Sequence, residues 1–395
     1  MIDERHGSPG ALGASGGVGG HVGAPHVLRI LQLYPKADYF TGAAIQLREL
    51  ARGLAARGHI VTVATPPGPH GARLAAPGVD HVTLPLRRAW DPRAAWRLRR
   101  LVRARGIDVI HAHKGRARTL AILAGLVGTR PRLVLNRGVS FVPGRLNRLG
   151  YTTRRVDAIV AVCRSIKDDL VGVGVSADKI EVIYSGTDIR RFHPGLDGAA
   201  LRRELGLAPE HFVITQVGVR SWRGWSDVLT AMRRVAAAAP SARLLFVGAP
   251  PPAIARLSDR ARELGIGERV LVVAPREDMP LVMAASDVVV DASWAGLGIT
   301  GSIREALASE RPVVATRLAG MPELVVDGET GLLVPPRAPD ALADALLRLH
   351  GDATWRQQLA RAGRKRVEAD FSLDAKVEAT ERLYHRLVTG ARTRP

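Results

Sequence analysis

The sequence is short of cysteine, of aromatic residues and of long apolar runs. Its one cysteine, Cys163, excludes a disulfide framework and suits a reducing compartment. Aromatic residues make up only 4% of the 395 residues. No helix-turn-helix, zinc-finger or base-stacking signature is present, so we do not expect a nucleic-acid partner. The longest apolar run, 120–127, is interrupted by Gly125 and is too short to span a bilayer. We therefore expect a cytoplasmic protein.

Acidic residues are also scarce relative to basic ones. The chain has 57 Lys and Arg against 37 Asp and Glu, a formal net charge of +20. Such a balance favours anionic partners, among them a membrane surface, nucleic acid or a phosphorylated substrate. Residues 87–105 concentrate the charge, with eight arginines against Asp91, and they include Trp90 and Trp96. This segment either binds the inner face of an anionic membrane peripherally or is an ordinary solvated basic surface.

Short apolar strands alternate with amphipathic helices from Val27 onward, in two series, and the second series begins near Phe212. Repeated strand–helix units with buried strands predict parallel, doubly wound sheets. We therefore predict an α/β protein with two Rossmann-like domains that face each other across a cleft. The expected divisions are a disordered Gly-rich tail (1–25), an N-terminal domain (26–190), a C-terminal domain (191–372), and a last segment (373–395) whose helix crosses back to the N-terminal domain before a short tail.

The stretch Asp287–Thr316 carries the strongest local pattern, a strand, a glycine loop, a short helix and a second strand. Glycines of GLGITG allow close backbone approach, and the helix amides that follow are suited to an anion, most often a phosphate. Glu305 lies just inside this helix. Two other interpretations stay open: Ser302 and Glu305 form a capping box, or GLGITG is a dinucleotide fingerprint.

Further polar residues and glycines follow other predicted strands, where ligands bind in open α/β sheets. Arg220 and Arg223 come directly after one strand, and two guanidinium groups suit a diphosphate, although they could be solvated loop residues. His113 ends the strand IDVIHAH and is a candidate to contact substrate, whereas His111 is expected to pack within the sheet. Gly42 could expose backbone amides to a phosphate or form an ordinary turn.

With these motifs in place, the chain resembles the retaining glycosyltransferases of the GT-B fold, in family four, the group 1 glycosyl transferases. The resemblance covers Val27 to Leu387. It rests on six motifs, namely FTGAAIQLRELARGLAARGHIVTVAT, IDVIHAH, VIYSGTDIRRFHP, VGVRSWRGWSDVLTAM, AGLGITGSIREALASERPVVAT and LAGMPELVVDGETGLLVPP. It implies an acceptor-side N-terminal domain and a C-terminal domain that binds a nucleotide sugar.

The resemblance also implies roles for individual residues. Glu305 corresponds to the second glutamate of the family's E-x7-E signature, which binds the donor ribose. Arg220 and Arg223 correspond to the basic pair at the donor diphosphate, Gly42 to the glycine loop that faces donor and acceptor, and His113 to the histidine beside the reacting sugar. The loop and helix start that hold the donor phosphates correspond to Gly298, Ile299, Thr300, Gly301 and Ser302.

The sequence departs from the family pattern at two positions. Ala295 stands where the first glutamate of the signature is expected, and it lies ten residues before Glu305, so the loop carries two extra residues. In the family that first glutamate contacts the donor sugar. The connector between the domains reads SGTD, with Ser185 where asparagine is common.

The function that the resemblance implies is transfer of a sugar, with retained anomeric configuration, from a nucleoside-diphosphate sugar. The acceptor would be a glycan, a lipid-linked molecule or a small molecule, and the charge points to envelope polysaccharide or lipopolysaccharide synthesis. We expect no cofactor and no metal, because arginines and helix amides can stabilise the leaving diphosphate and no D-x-D motif ends a strand.

Three alternatives remain open from the sequence. The first is an NADP-dependent oxidoreductase that uses GLGITG, with Arg317 at the 2′-phosphate. The second is a non-catalytic protein that binds an anionic surface or nucleic acid. The third is a catalytically silent relative, because of Ala295.

Overall fold

The computed structural model describes residues 26–38, 41–86, 88–125, 131–140, 144–296 and 298–390. The predicted tail at 1–25 therefore lies outside the described residues. The described chain forms two parallel sheets, each with helices on both faces. The prediction of two doubly wound α/β domains is confirmed. Within the described ranges, no helix combines the length and apolar character that a bilayer span requires.

The first sheet has seven strands in the order β3-β2-β1-β4-β5-β6-β7. Its strands are β1 (Arg29–Leu33), β2 (Ile60–Thr65), β3 (Val79–Thr83), β4 (Val109–His113), β5 (Arg132–Arg137), β6 (Ala158–Ala161) and β7 (Ile180–Val182). Its helices are α1 (Gly42–Ala56), α2 (Pro92–Arg105), α3 (Lys114–Ala124), α4 (Arg145–Thr152) and α5 (Arg164–Gly172). The sequence pattern predicts six of these strands, in the segments VLRILQLYP, HIVTVATPP, HVTLPL, DVIHAH, RLVLNRG and AIVAVC, but it does not predict β7.

The second sheet has six strands in the order β10-β9-β8-β11-β12-β13. Its strands are β8 (Phe212–Val217), β9 (Ala242–Val247), β10 (Val270–Val273), β11 (Val288–Asp291), β12 (Val313–Thr316) and β13 (Leu332–Val334). The helices from here to the C-terminus are α6 (Ala199–Glu204), α7 (Trp225–Ala238), α8 (Pro251–Glu263), α9 (Met279–Ala285), α10 (Gly301–Ala308), α11 (Met321–Leu324), α12 (Pro339–Gly351), α13 (Ala353–Asp370) and α14 (Leu373–Thr389).

Local sequence explains where the elements begin and end. Every residue of β4 and of β11 is buried, as expected for central parallel strands with helices on both faces. The hydroxyl of Thr41 accepts a hydrogen bond from the Ala44 amide and so caps α1. Asp91 caps α2 in the same way, and Gly106 ends that helix in the left-handed conformation.

The chain passes between the two sheets twice, and the two crossings pair with each other. Thr187 and Ser372 form an isolated parallel β-bridge, in which the Thr187 amide donates to the Phe371 carbonyl and the Leu373 amide donates to the Thr187 carbonyl. After the second crossing, α14 packs on α1, and Tyr384 is fully buried in the core of the first sheet. The last helix therefore belongs physically to the N-terminal half.

Candidate active site

The two strand orders reverse at the β1–β4 pair and at the β8–β11 pair, and ligands bind at the carboxyl ends of strands beside such switch points. All of the predicted site residues follow these four strands. Gly42 comes after β1, His113 ends β4, and Arg220 and Arg223 follow β8. The segment from Gly298 to Glu305 follows β11. The topology thus collects the candidates at two neighbouring edges.

The two arginines after β8 have different environments. Arg220 is exposed, and its guanidinium lies 5.9 Å from the centre of the Trp222 ring. Arg223 is largely buried and forms an ion pair with Asp291 at the end of β11, with 2.6 Å between Nη1 and Oδ2. Nη1 also lies 3.5 Å from the Thr300 hydroxyl at the start of α10. Arg223 is therefore fixed between the two strand ends, whereas Arg220 is free to reorient.

The start of α10 shows that the capping-box interpretation is wrong. The residue before the helix is Thr300, whose side chain makes no capping hydrogen bond, and Ser302 lies inside the first turn. The Ser302 hydroxyl is buried and has no hydrogen-bond partner among the described residues. A capping box needs its serine at the N-cap position, which Thr300 occupies here. A buried, unpartnered donor at a helix N-terminus is well suited to an anion.

Glu305 is half-buried within α10, beside a buried arginine. Burial raises the pKa of Glu305, and the positive charges of Arg304 and Arg191 oppose that shift. Arg304 is 3% exposed and donates to the Ile299 carbonyl and to the Thr187 hydroxyl. Burial lowers the pKa of Arg304 to about 10, so its side chain is cationic at neutral pH. The sequence analysis missed Arg304, although a lone arginine in the apolar helix SIREALA was a usable signal.

His113 belongs to a buried hydrogen-bond network. Its Nε2 donates to the Gln32 side-chain oxygen at 2.7 Å, and the Gln32 amide donates to the Tyr384 hydroxyl at 3.3 Å. The Tyr384 hydroxyl also bonds Nδ1 of His111 at 2.6 Å. Burial, with the charges of His111 and Lys376, holds the pKa of His113 well below its ordinary value. His113 is therefore neutral and keeps the Nδ1 lone pair as an acceptor.

Lys376 on α14 is a second cation that the sequence analysis missed. Its ammonium donates to the backbone carbonyl of Gln46 at 2.8 Å and to the side-chain oxygen of Gln46 at 3.0 Å. Burial, and then the charge of Arg304, lowers its pKa to about 7. Gln32 and Tyr384 were missed as well. A glutamine inside the otherwise apolar strand RILQL was the available signal for Gln32.

Two of the predicted glycines serve in different ways. Gly42 is the first residue of α1 rather than part of the preceding loop, and the space beside its Cα is open. At Gly298, by contrast, a Cβ would lie 2.8 Å from a Val162 methyl of the N-terminal half. A Cβ at Gly320 would lie 2.6 Å from the Cβ of Cys163. The lack of side chains at Gly298 and Gly320 therefore lets the two halves touch.

A carboxylate from the second half completes this contact. Glu323, on α11, accepts hydrogen bonds from the amides of Arg164 at 2.9 Å and Ser165 at 3.3 Å, at the start of α5. It also accepts one from the Tyr184 hydroxyl at 3.0 Å. The glutamate of the G-x-P-E turn therefore caps a helix of the opposite half.

One group of side chains in the described chain is close enough to hold a metal ion: His59, Glu381 and His385. Its hydrogen bonds favour a structural role. Nδ1 of His59 accepts from the Leu28 amide, so Nε2 carries the proton and donates to Glu381 at 2.8 Å. Glu381 is also ion-paired with Arg57. With its lone pair occupied, His59 is not poised to ligate a metal, and the cluster holds α14 on the first sheet.

Comparison with known proteins now assigns the family. Residues 40–191 match the family described as Glycosyltransferase Family 4, and residues 211–352 match Glycosyl transferases group 1. The chain belongs to the family four glycosyltransferases. The resemblance that the sequence motifs indicated is confirmed. Arg317, which the oxidoreductase alternative requires for a 2′-phosphate, is ion-paired with Asp327 at 2.6 Å.

Curated relatives of this chain include D-inositol 3-phosphate glycosyltransferases. The protein of Corynebacterium jeikeium is 34% identical over 241 residues, which are 58% of this chain and 57% of that protein. The protein of Mycobacteroides abscessus is 31% identical over 281 residues, which are 68% of this chain and 56% of that protein. The chain thus spans about half the length of the curated relatives it matches.

Solved structures of glycosyltransferases share the fold. A glycosyltransferase from Rickettsia africae has a TM-score of 0.84 at 20% identity, over 92% of this chain and 99% of its own. HepE of Anabaena, in complex with UDP-glucose, has a TM-score of 0.79 at 21% identity, over 91% of this chain and 100% of its own. WaaG, a glycosyltransferase involved in lipopolysaccharide biosynthesis, has a TM-score of 0.70 at 16% identity, over 90% of this chain and 99% of its own. The GT-B prediction is confirmed.

Proposed function

We propose that this protein is a retaining glycosyltransferase that moves a hexosyl or related sugar from a nucleoside-diphosphate sugar to a phosphorylated acceptor. One observation carries the donor half of the proposal: the first turn of α10, which follows β11 at the switch point, holds a buried Ser302 hydroxyl without a hydrogen-bond partner among the described residues, and no side chain caps this turn. Arg223 reaches the same helix start at Thr300. Family membership and this anion site support the same reaction.

The donor diphosphate would lie between the two strand ends. Amides from Gly298 to Ser302 and the guanidinium groups of Arg220 and Arg223 would hold its oxygens. Charge that develops on the leaving diphosphate would be stabilised by these groups without a divalent ion. HepE, which shares the fold, was solved with UDP-glucose, and a UDP-sugar is the first donor to test.

Roles for Glu305 and His113 follow from their environments. A half-buried carboxylate at Glu305 would accept hydrogen bonds from the donor ribose, and ligand burial would strengthen them. Because His113 is neutral, its Nδ1 would accept a hydrogen bond from a hydroxyl of the reacting sugar. It would not act as a general acid. The leaving phosphate would then deprotonate the acceptor, and closure of the two halves would exclude water.

The acceptor half of the proposal rests on charge. Residues 109–156, which include the ends of β4 and β5, contain ten basic residues and no carboxylate. Arg118 is 6% exposed, packs over the Tyr151 ring and bonds only the neutral Asn147 side chain among the described residues. Burying a guanidinium without a counter-charge is costly, and an acceptor phosphate would supply that charge. The relatives are named for D-inositol 3-phosphate, a phosphorylated acceptor.

The experiment has two arms. Thermal shift with UDP-glucose, GDP-mannose and their nucleotides tests donor binding in the wild type, in Arg220→Ala and in Glu305→Ala. Arg233→Ala, an exposed arginine on α7, is the matched control. Stabilisation of wild type and control, with weaker stabilisation of both site variants, supports the site. An equal response of all four proteins would refute it.

The second arm measures turnover with inositol phosphate and with unphosphorylated inositol. We expect transfer to the phosphorylated acceptor, with the anomeric configuration of the donor retained in the product, as read by proton NMR. A preference for inositol would contradict the acceptor class. Product of inverted configuration would contradict the mechanism. Because the donor arm is read without turnover, a silent but nucleotide-binding protein would be recognised as such.

A lipid-linked acceptor in envelope polysaccharide or lipopolysaccharide synthesis is the second candidate. It is favoured by the exposed tryptophans Trp90 and Trp96 at the basic helix α2. Turnover that requires a lipid-linked phosphate, with no product from soluble inositol phosphate, would select it over the first.

A further inference from the structure

The outward face of α2 carries positive charge that the protein itself does not neutralise. Of the six arginines on this helix, only Arg105 is ion-paired within the described chain, with Asp80. Four others are exposed on one side of the helix, at positions 93, 97, 100 and 103. Surface arginines elsewhere in the molecule commonly have a carboxylate partner, as Arg276 and Arg386 do. Four exposed arginines without an ion pair among the described residues thus lie together on one side of this helix.

The positive charge is concentrated in this part of the chain. Residues 92–156 contain sixteen arginines or lysines and a single carboxylate, Asp108. This segment therefore supplies fifteen of the twenty net positive charges of the protein. A general compositional excess of arginine would raise the charge throughout the sequence. The concentration in one segment indicates a surface that meets an anionic partner.

Two tryptophans stand beside these arginines. The side chain of Trp90 is 75% exposed and that of Trp96 is 56% exposed. The guanidinium of Arg100 lies 4.9 Å from the centre of the Trp96 ring. Large aromatic side chains are seldom left in water, and tryptophan with arginine is the pairing that proteins use at the boundary between headgroups and acyl chains.

An open groove of about 330 Å³ runs between α2 and the end of α3. Trp90, Trp96, Leu123 and Ala124 give it apolar walls, and Arg99 lies at one end. Arg99 is shared with a second cavity, of about 260 Å³, which Arg132, Arg154 and Arg155 also line. Nε of Arg99 is buried without a hydrogen-bond partner in the described chain. An apolar groove that ends at an unpartnered guanidinium matches an acyl chain joined to a phosphate.

We propose that α2, with the groove beside it, docks the protein on a bilayer of anionic phospholipid, the tryptophans entering the interface and a lipid phosphate binding Arg99. The proposal does not depend on the glycosyl-transfer activity. Nucleic acid would also satisfy the arginines, but its backbone does not need an apolar groove. An acidic protein would not need two tryptophans beside it.

Vesicle flotation of the full-length protein at physiological salt tests the proposal. One set of vesicles contains phosphatidylcholine alone, and the other contains phosphatidylcholine and phosphatidylglycerol in equal parts. We expect binding to the second set only. Each arginine near an anionic surface contributes about fivefold to partitioning. Arg97→Gln with Arg100→Gln should therefore lower the partition coefficient roughly 30-fold. Trp90→Ala with Trp96→Ala should lower it at least roughly tenfold.

The control is a variant of equal charge change on the other half, Arg203→Gln with Arg233→Gln, both exposed. It should bind as the wild type does. Arg99→Gln should weaken binding to phosphatidylglycerol vesicles, and excess inorganic phosphate should not displace the wild type. Positions 90, 96, 97 and 100 are exposed, so circular dichroism of the arginine and the tryptophan double variants should match the wild type. The proposal is overturned by equal binding to neutral vesicles, by equal loss in the control, or by duplex DNA that displaces the vesicles.

Discussion

Replacing Arg223 by alanine should destabilise the second half of the protein as well as weaken donor binding. The Asp291 side chain that it pairs with is only 3% exposed, and the ion pair is 2.6 Å long. After the substitution, the Ser293 amide, at 2.9 Å, would be the remaining hydrogen-bond donor to Asp291 among the described residues. A carboxylate would then stay buried with its charge uncompensated.

The size of the effect follows from that burial. Removing one partner of a buried ion pair destabilises proteins by about 3–5 kcal/mol. Because the Ser293 amide still binds the carboxylate, we expect Arg223→Ala to lie near the low end, at about 3 kcal/mol. In a domain of this size that corresponds to a Tm lower by roughly 6–12 °C. Adding Asp291→Asn should recover most of the loss, since no charge is then stranded.

Arg220 provides the contrast within the same loop. It is exposed and has no carboxylate partner in the described chain, so Arg220→Ala should change the Tm by no more than about 1 °C. Both single variants should bind a UDP-sugar more weakly than the wild type. Comparing Arg220→Ala with Arg223→Ala therefore separates the loss of a ligand contact, expected in both variants, from the loss of stability, expected only in Arg223→Ala.

Thermal unfolding followed by circular dichroism, on wild type, Arg220→Ala, Arg223→Ala and Arg223→Ala/Asp291→Asn, measures the stability part. Isothermal titration with UDP measures the donor part. The reasoning fails if Arg223→Ala unfolds within about 1 °C of the wild type, or if the double variant is no more stable than the single one. Either result would mean that Asp291 is not held as a buried charge by Arg223.

Three further predictions concern the contact between the halves and the charge on α10. Glu323→Gln weakens charge-assisted hydrogen bonds to the start of α5, so the free energy of unfolding should fall by about 1–2 kcal/mol. Small-angle scattering should then give a larger radius of gyration, and an unchanged radius would contradict the contact. Gly320→Ala pushes a methyl group against Cys163 and should cost about 1–3 kcal/mol in the same unfolding assay, whereas Gly351→Ala, in open space, should not. Burial raises the pKa of Glu305 above its ordinary 4.5, so the ionised side chain destabilises the folded state increasingly as pH rises from 4.5 through the folded pKa. Glu305→Gln should therefore gain Tm over wild type at pH 7 and lose that gain near pH 4.5; a pH-independent difference would contradict the assignment.

Alternation of apolar strands and helices was enough to predict the two sheets, because strands such as β8 (FVITQV) and β11 (VVVD) are short, mostly apolar and followed by loops that contain glycine. The strand β7 was missed because its three residues, IEV, include a charge and lie at the edge of the sheet. The carboxyl ends of the strands likewise directed attention to Arg220 and His113. Position along the chain is sufficient for such inferences, since strand ends in parallel sheets share one edge.

The partners of those residues could not be predicted in the same way. The Gln32–Tyr384 hydrogen bond joins residues 352 positions apart, and Glu323 meets Arg164 across 159 positions. No periodicity links such distant side chains. Arg223 illustrates the consequence, because only the folded chain brings Asp291 to it and so changes a free diphosphate ligand into half of an ion pair. Candidate residues could thus be chosen from the sequence, whereas their ion-pair and hydrogen-bond partners could not.

The distribution of charge would explain how one protein could bind the two kinds of anion proposed above. Residues 191–372 contain 23 basic and 21 acidic residues, so the half proposed to bind the donor is nearly neutral. The anion site proposed there would therefore depend on oriented amides and on Arg223 fixed by Asp291, which screening by salt affects little. The membrane docking proposed for the N-terminal half would rely instead on the exposed arginines of α2, whose attraction for phosphate is long-ranged and falls with salt. Raising ionic strength should consequently release the protein from anionic vesicles well before it weakens binding of UDP.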